Sequence, residues 1–318
     1  MKYRKLGSIG EVSALTLGGG GIGQVWGQTD RAEAVETVKA AVDGGITFLD
    51  VAPTYGDGEA ERVVGQTFEG KLPTGVRIST KCAVLNPRPN EVASKIDQSL
   101  SDSFARLRID YVDLFLLHNQ IISDGDVAKY RGTTQSLFVD IVKPIFQKMV
   151  QDGKIGAWGV TGIGVPAQLL QTLKEDPPPD VIQIVANLLD SPGGLKRFNE
   201  PAEPRSMMRS AQDRGIGVMG IRAVQAGALT DHFDREVAAD SSDYLDYVRA
   251  ASFRAFAKGN GVSAAFLAHR YSLSIEEVST VVLGVKNRDE LKECFLAEET
   301  GPLDADQISE IDRLVGRD

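Results

Sequence analysis

The chain has 318 residues, 42% of them hydrophobic and 25% charged, with a formal net charge of −9. This is ordinary globular composition, long enough to bury a large core without disulfide or metal staples. The acidic balance argues against a general nucleic-acid binder, while leaving room for a small anionic ligand on a local basic cluster.

Short β-branched runs alternate with longer amphipathic segments. Taken in chain order, strands are expected at residues 14–17, 48–50, 76–80, 111–117, 157–160, 181–185, 217–221 and 278–283. Most are continuous apolar runs, the pattern of parallel strands covered on both faces. Helices are expected between them. Residues 31–43 follow Asp30, a good N-cap, and stop at Gly44-Gly45. Residues 90–107 carry Ile96, Leu100, Phe104 and Leu107 at helical spacing. Residues 139–151 end at Asp152-Gly153, with Pro144 delaying or kinking the start. Residues 263–270 begin with Ser263, another N-cap type. Eight strands each followed by a helix fit an α/β protein of the closed (β/α)8 TIM barrel type, formed as a single domain over 1–318.

Two stretches break the rhythm. The first strand runs into Gly18-Gly19-Gly20-Gly21-Ile22-Gly23, a superficial GxGxxG, but the next helix begins only near Asp30. The glycines therefore read as bare backbone that lets a flat ligand approach, not as a dinucleotide fingerprint. About 60 residues separate the last two strands, roughly twice the usual βα repeat. The excess, about 231–260, reads as a loop with an extra helix over the barrel mouth.

Catalytic groups in such barrels sit where strands end at the C-terminal rim. The second strand ends FLDVAPTYG, with Asp50 at its tip and Tyr55 five residues on. The third ends RISTKC with Lys81, and the fourth DLFLLHNQ with His118. Charged and polar groups avoid such places unless paired. The set suits proton transfer coupled to hydride transfer at a carbonyl. Tyr55 is the expected general acid/base, and Lys81 lowers the pKa of its phenol. Asp50 orients Lys81, and His118 donates to the substrate oxygen. Trp26 and Asn119 are the expected substrate-wall residues. Asn119 and Gln120 beside His118 point to a polar substrate such as a sugar.

The same residues carry a resemblance to the aldo-keto reductase family over essentially the whole chain. Its carriers include YRKLG, GITFLDVAPTYGDGEAERVVG, Thr80-Lys81, RLRIDYVDLFLLH, GKIGAWGVTG, IQIVANLLD and VVLGVKNRDELKEC. The resemblance implies a nicotinamide-dependent interconversion of an aldehyde or ketone and an alcohol, with the tetrad Asp50, Tyr55, Lys81 and His118. It implies a cofactor site at Gly19, Thr161, Gln183, Ile221, Arg222, Gly284, Lys286, Asn287, Glu290 and Cys294. Thr161-Gly162 stands where the family usually has Ser-Asn. Ile221-Arg222 stands where a stacking tyrosine and a serine are usual, with Arg222 available to the pyrophosphate. Lys286 favours NADP(H), whereas Glu290 suits the ribose hydroxyl of NAD(H). The family likeness tips the expectation to NADP(H), with NAD(H) as the alternative.

An NAD-linked sugar or secondary-alcohol dehydrogenase is a second expectation on the same scaffold. A cofactor-sensing regulatory subunit is a third, because fold does not fix function. A metal-dependent hydrolase lacks support, since His118, His232 and His269 form no HxH or HExxH pair, so no metal is expected. The expected partner is a small carbonyl or alcohol substrate, with neither nucleic acid nor membrane; oligomeric state is not readable. Cys82 and Cys294, far apart in sequence, suit a reducing cytoplasm. MKYRKLGSIG lacks the apolar run of a signal peptide, and no stretch approaches the roughly 20 apolar residues of a membrane span.

Overall fold

Eight parallel strands close on themselves in the computed structural model, which describes residues 1–27 and 29–317. An antiparallel hairpin of β1 (Tyr3–Leu6) and β2 (Gly10–Ser13) comes first. The barrel strands are β3 (Leu15–Gly18), β4 (Phe48–Asp50), β5 (Arg77–Cys82) and β6 (Val112–Leu117). A two-residue ladder, β7 (Ile121–Ile122) with β8 (Thr133–Thr134), interrupts the series. The barrel then continues through β9 (Ile155–Thr161), β10 (Val181–Val185), β11 (Gly217–Ile221) and β12 (Thr280–Leu283), which pairs back onto β3. The expected strands lie within two residues of these bounds.

The core has two parts. The larger lies between the strands and the surrounding helices. The smaller fills the barrel's interior, where Phe48, Leu114, Leu116, Val181 and Met219 meet Leu6 and Val12 of the hairpin. The hairpin thus plugs the N-terminal end of the barrel, leaving the C-terminal rim for ligands. Only Leu6, Val12 and Ser13 of this hairpin are buried, so its sequence lacks the long apolar run that marks the barrel strands.

Local chemistry explains the helix ends. Asp30 caps the helix Arg31–Asp43 by accepting from the Glu33 amide at 2.8 Å. The helix Val92–Leu107 follows a 3-10 turn at Pro89–Glu91. The helix expected to begin at 139 begins instead at Gln135, capped by Thr134, and passes through a π-helical stretch, Phe138–Val142, into Lys143–Gln151. The wider turn precedes Pro144, which has no amide to donate and whose ring would crowd a regular preceding turn. The segment between β11 and the helix Ala264–Leu273 carries two further helices, Ser242–Arg249 and Ala251–Gly259. No helix among the described residues is long and apolar enough to cross a membrane.

The glycine run corrects an expectation. It forms a single helical turn, Gly19–Ile22, directly after β3. Its side chains are missing because the protein's own atoms take the space. A Cβ on Gly19 would lie 2.9 Å from the Tyr55 ring, one on Gly20 would overlap the Trp26 indole, and one on Gly21 would overlap the Val285 carbonyl. The partner at Gly21 is backbone and cannot swing away. We therefore expect Gly21→Ala to destabilise the protein by about 1–3 kcal/mol, the usual cost of overpacking. Equal midpoints in urea for the variant and the parent would contradict this packing argument.

Candidate active site

Strand periodicity brings the tetrad together. Residues two apart on a strand share a face, so Ser79 and Lys81 of β5 both point inward, beside Asp50 of the neighbouring β4. Lys81 is fully buried. Its ammonium donates to Asp50 Oδ2 at 2.9 Å, to the Val51 carbonyl at 2.9 Å and to the Tyr55 phenol oxygen at 3.2 Å. These three bonds use all three of its protons. Asp50 is held on its other oxygen by the Ser79 hydroxyl at 2.6 Å and the Gln183 amide at 2.8 Å. The Tyr55 oxygen accepts from Lys81, so its own hydrogen remains to donate. The ring stands edge-on to His118, with centroids 5.5 Å apart, and Thr54 Oγ1 lies 3.2 Å from His118 Nδ1.

The electrostatics differ in sign from the sequence-based expectation. Burial raises the Tyr55 pKa above its ordinary value, outweighing the opposing pull of Lys81. Burial also works against the Lys81 ammonium, but Asp50 and Tyr55 together hold its pKa above the ordinary value. His118 is pushed down to about 3 by burial and by the Lys81 charge, so its ring is neutral at physiological pH. The resting site therefore holds a protonated phenol, an ammonium and a neutral imidazole.

A cavity of about 890 Å³ opens at this rim. It extends from Asp50, Tyr55 and His118 past Arg222 to Lys286, Glu290 and Cys294. All sixteen of the expected site residues except Lys81 and Asn287 line it. Several of them have their polar atoms committed elsewhere. Asn119, expected at the substrate, accepts from the Val84 and Leu85 amides and donates to the Gln120 carbonyl and Thr133, so it ties rim loops together. Asn287 caps the helix Arg288–Thr300, accepting from the Asp289 and Glu290 amides. Arg222 is oriented by Asp243 at 2.6 Å and Gln225 at 2.8 Å, bonds that leave further N–H groups of its guanidinium at the cavity. Thr161 donates to the Leu117 carbonyl, which leaves its hydroxyl oxygen to accept. Trp26 packs on Gly20 and Gly284, with the Arg222 and Arg235 guanidiniums 5.8 and 5.9 Å from its ring centre. It forms part of the cavity wall. Cys294 contacts His269 Nε2 at 3.6 Å, and both are buried.

The residues that sequence reading missed are Ser79, Thr54, Asp234 and Asp243. Ser79 carried a signal, since it precedes Lys81 by one strand period. Asp234 and Asp243 carried none, because they come from the segment between β11 and the last strand. Asp234 reaches Lys286 Nζ at 2.5 Å, and Glu290 reaches the same nitrogen at 2.5 Å.

The Aldo/keto reductase family profile matches residues 14–315. The chain belongs to that family. It is 26% identical to L-galactose dehydrogenase of Arabidopsis thaliana over 99% of this chain and 94% of that protein. It is also 26% identical to the NADH-specific methylglyoxal reductase of Escherichia coli, over 68% of this chain and 64% of that one. The solved glycerol dehydrogenase of Gluconobacter oxydans shares the fold, with a TM-score of 0.73 and 24% identity over 99% of this chain and 95% of that one. The protein is accordingly an NAD(P)H-dependent oxidoreductase that interconverts carbonyl compounds and alcohols.

The residues present fit a nicotinamide cofactor. The elongated cavity exceeds what a small carbonyl compound alone needs. Gln183, nearly fully buried, donates its amide hydrogens to Asp50 and to Met219 Sδ, and its Oε1 has no donor among the described residues. That oxygen suits the N–H of a carboxamide placed beside Tyr55.

Proposed function

We propose that Tyr55 passes the proton in this carbonyl–alcohol interconversion, with Lys81, Asp50 and His118 as its supporting groups. The observation that carries the proposal is the saturated Lys81 ammonium, which bridges Asp50 and the Tyr55 oxygen and leaves the phenolic hydrogen at an open cavity. The cofactor, when bound, supplies or removes the hydride. In the reducing direction negative charge builds on the substrate oxygen, and Tyr55 neutralises it by giving up its proton. The Lys81 ammonium then stabilises the phenolate, and Asp50 keeps that ammonium in place. With the Thr54 hydroxyl donating to Nδ1, neutral His118 carries its proton on Nε2, where it donates to the substrate oxygen. In the oxidising direction the phenolate takes the proton back. Gln183 and Thr161 would meet the carboxamide, and Ile221 would cover the ring by apolar contact. Two buried, unpaired cysteines support a reducing, cytoplasmic setting.

The adenosine end of the cavity supports NAD(H), reversing the preference drawn from the sequence. The cations there are already met, Arg235 by Asp234 and Asp243 and Lys286 by Asp234 and Glu290. A ribose 2′-phosphate would bring a further anion to this pair, whereas a ribose hydroxyl can donate to either carboxylate. Protein-fluorescence quenching should give an NADH dissociation constant about tenfold or more below that of NADPH, equivalent to about 1.4 kcal/mol or more. The double variant Asp234→Asn, Glu290→Gln should narrow or reverse that gap. Tighter NADPH binding by the unaltered protein would defeat the assignment. This arrangement also favours the second reading, an NAD-linked alcohol or sugar dehydrogenase. A dehydrogenase of that kind would show oxidation of secondary alcohols or sugars with NAD+ at rates matching or exceeding carbonyl reduction.

A further inference from the structure

Charge is distributed unevenly along the cavity. At the adenosine end, Asp231, Asp234, Glu290 and Glu293 outnumber Lys286 and Arg235. On the side of His118 where Gln120 holds the Arg131 carbonyl, the lining carries the exposed Lys129, Arg131 and Arg197. Every other charged lining base is met by a carboxylate: Lys129 by Glu200, Arg222 by Asp243, Arg235 by Asp234 and Asp243, and Lys286 by Asp234 and Glu290. Arg131 and Arg197 have no carboxylate within ion-pair distance among the described residues, in a chain whose net charge is −9.

The fold holds these two arginines on one side of the mouth. Tyr130 and Phe198 pack in one small apolar cluster with Ile122 and Val165. The Tyr130 hydroxyl donates to Glu200 at 2.9 Å and accepts from the Asn199 amide at 3.1 Å, joining the two rim loops. Arg131 adjoins Tyr130, and its carbonyl accepts from Gln120 at 2.9 Å, two residues beyond His118. Arg197 adjoins Phe198, and its guanidinium is anchored on the Gly194 carbonyl at 2.6 Å. The same nitrogen reaches the Lys196 carbonyl at 3.3 Å, which leaves the Nε and Nη2 hydrogens of the planar fork to donate.

From this arrangement we propose that the substrate carries, apart from its reacting carbonyl or alcohol, a carboxylate or phosphate group that Arg131 and Arg197 receive. Guanidinium matches both anions in a bidentate way, and an anion entering a cavity with this polarity lands with its charged end outward and its neutral end toward Tyr55. The proposal rests on the reading of Tyr55 and His118 as the place where the substrate oxygen sits.

Matched substrate pairs test it on the whole protein with saturating cofactor: 4-carboxybenzaldehyde against benzaldehyde, and glyceraldehyde 3-phosphate against glyceraldehyde. The expected result is a kcat/KM for the charged member about tenfold or more above the neutral one in at least one pair. The advantage should sit mainly in KM and shrink as salt is raised. The pair that shows it identifies the anion. Arg131→Ala and Arg197→Ala should each lower the charged-to-neutral ratio by about tenfold, while Arg131→Lys and Arg197→Lys keep part of it. Thermal midpoints establish that the variants fold. Equal or neutral-favouring kcat/KM values in both pairs would overturn the proposal. So would a double alanine variant that retains the ratio, or one whose only change is weaker NADH binding. Where neither pair turns over, titration calorimetry of the NADH complex with 4-carboxybenzyl alcohol decides. Binding that the arginine variants weaken supports the proposal, and no binding overturns it. Full turnover in Tyr55→Phe would instead remove the catalytic reading while leaving any anion preference in place.

Discussion

Tyr55→Phe should lower kcat by at least about 100-fold, the range for removing a positioned general acid, while the dissociation constant for cofactor changes little. The phenyl ring keeps the edge-on contact with His118 and the packing against Gly19, so the loss is confined to one hydroxyl. The pH profile adds a sign. Because burial raises the Tyr55 pKa above its ordinary value, the phenol keeps its proton through neutral pH. Reduction should therefore run at a level rate across neutrality and fall only in strong alkali, as the proton is lost. Oxidation needs the phenolate and should climb with pH. No inflection is expected near the ordinary histidine value, because burial and the Lys81 charge push His118 down to about 3. Steady-state kcat/KM in both directions across pH checks this. An unaltered kcat in the variant, or a reduction rate that falls through pH 6–7 as a histidine gains its proton, would remove Tyr55 or neutral His118 from these roles.

Much of the barrel was legible because parallel strands covered on both faces are largely apolar, as 217–221 is and as 181–185 is apart from Gln183. The hairpin β1–β2 was not, since it turns few side chains inward and its purpose, plugging the barrel, is a tertiary fact. The glycine run was legible as bare backbone, yet its reason was not. The groups that exclude a side chain at Gly19, Gly20 and Gly21 are Tyr55, Trp26 and Val285, the last of them far away in sequence.

The tetrad was legible because Lys81 and Asp50 stand at the rim ends of buried strands, where an unpaired charge is too costly to keep. Their neighbourhood was harder to read. Proximity of Lys81 to Tyr55 followed from the strand order, but the sign of the phenol's shift depends on how much water the fold excludes, and burial outweighs the ammonium. Lys286 is similar. The sequence offers a basic residue where a phosphate would want one, and only the folded chain brings Asp234 from about fifty residues away to neutralise it. Asn119 and Asn287 show the converse. In both the side-chain oxygen accepts from backbone amides of the protein itself.

Lys81→Met should cost stability as well as turnover, and the two losses can be separated. The methionine follows the stem of the lysine and fills most of its space, so packing changes little. What changes is charge: Asp50 keeps its bonds from Ser79 and Gln183 but loses the ammonium at 2.9 Å, inside the barrel. Breaking a buried pair by removing one partner typically costs about 3–5 kcal/mol, and the denaturation midpoint should fall accordingly. Removing both charges, Asp50→Asn with Lys81→Met, takes away the uncompensated carboxylate. The double variant should therefore be less destabilised than the sum of the single ones, whereas both Lys81 variants remain poor catalysts because the phenolate has lost its counter-charge. If the stability effects simply add, to within about 0.5 kcal/mol, Lys81 and Asp50 are not electrostatically coupled. In that case the ammonium at Tyr55 is not held there by Asp50.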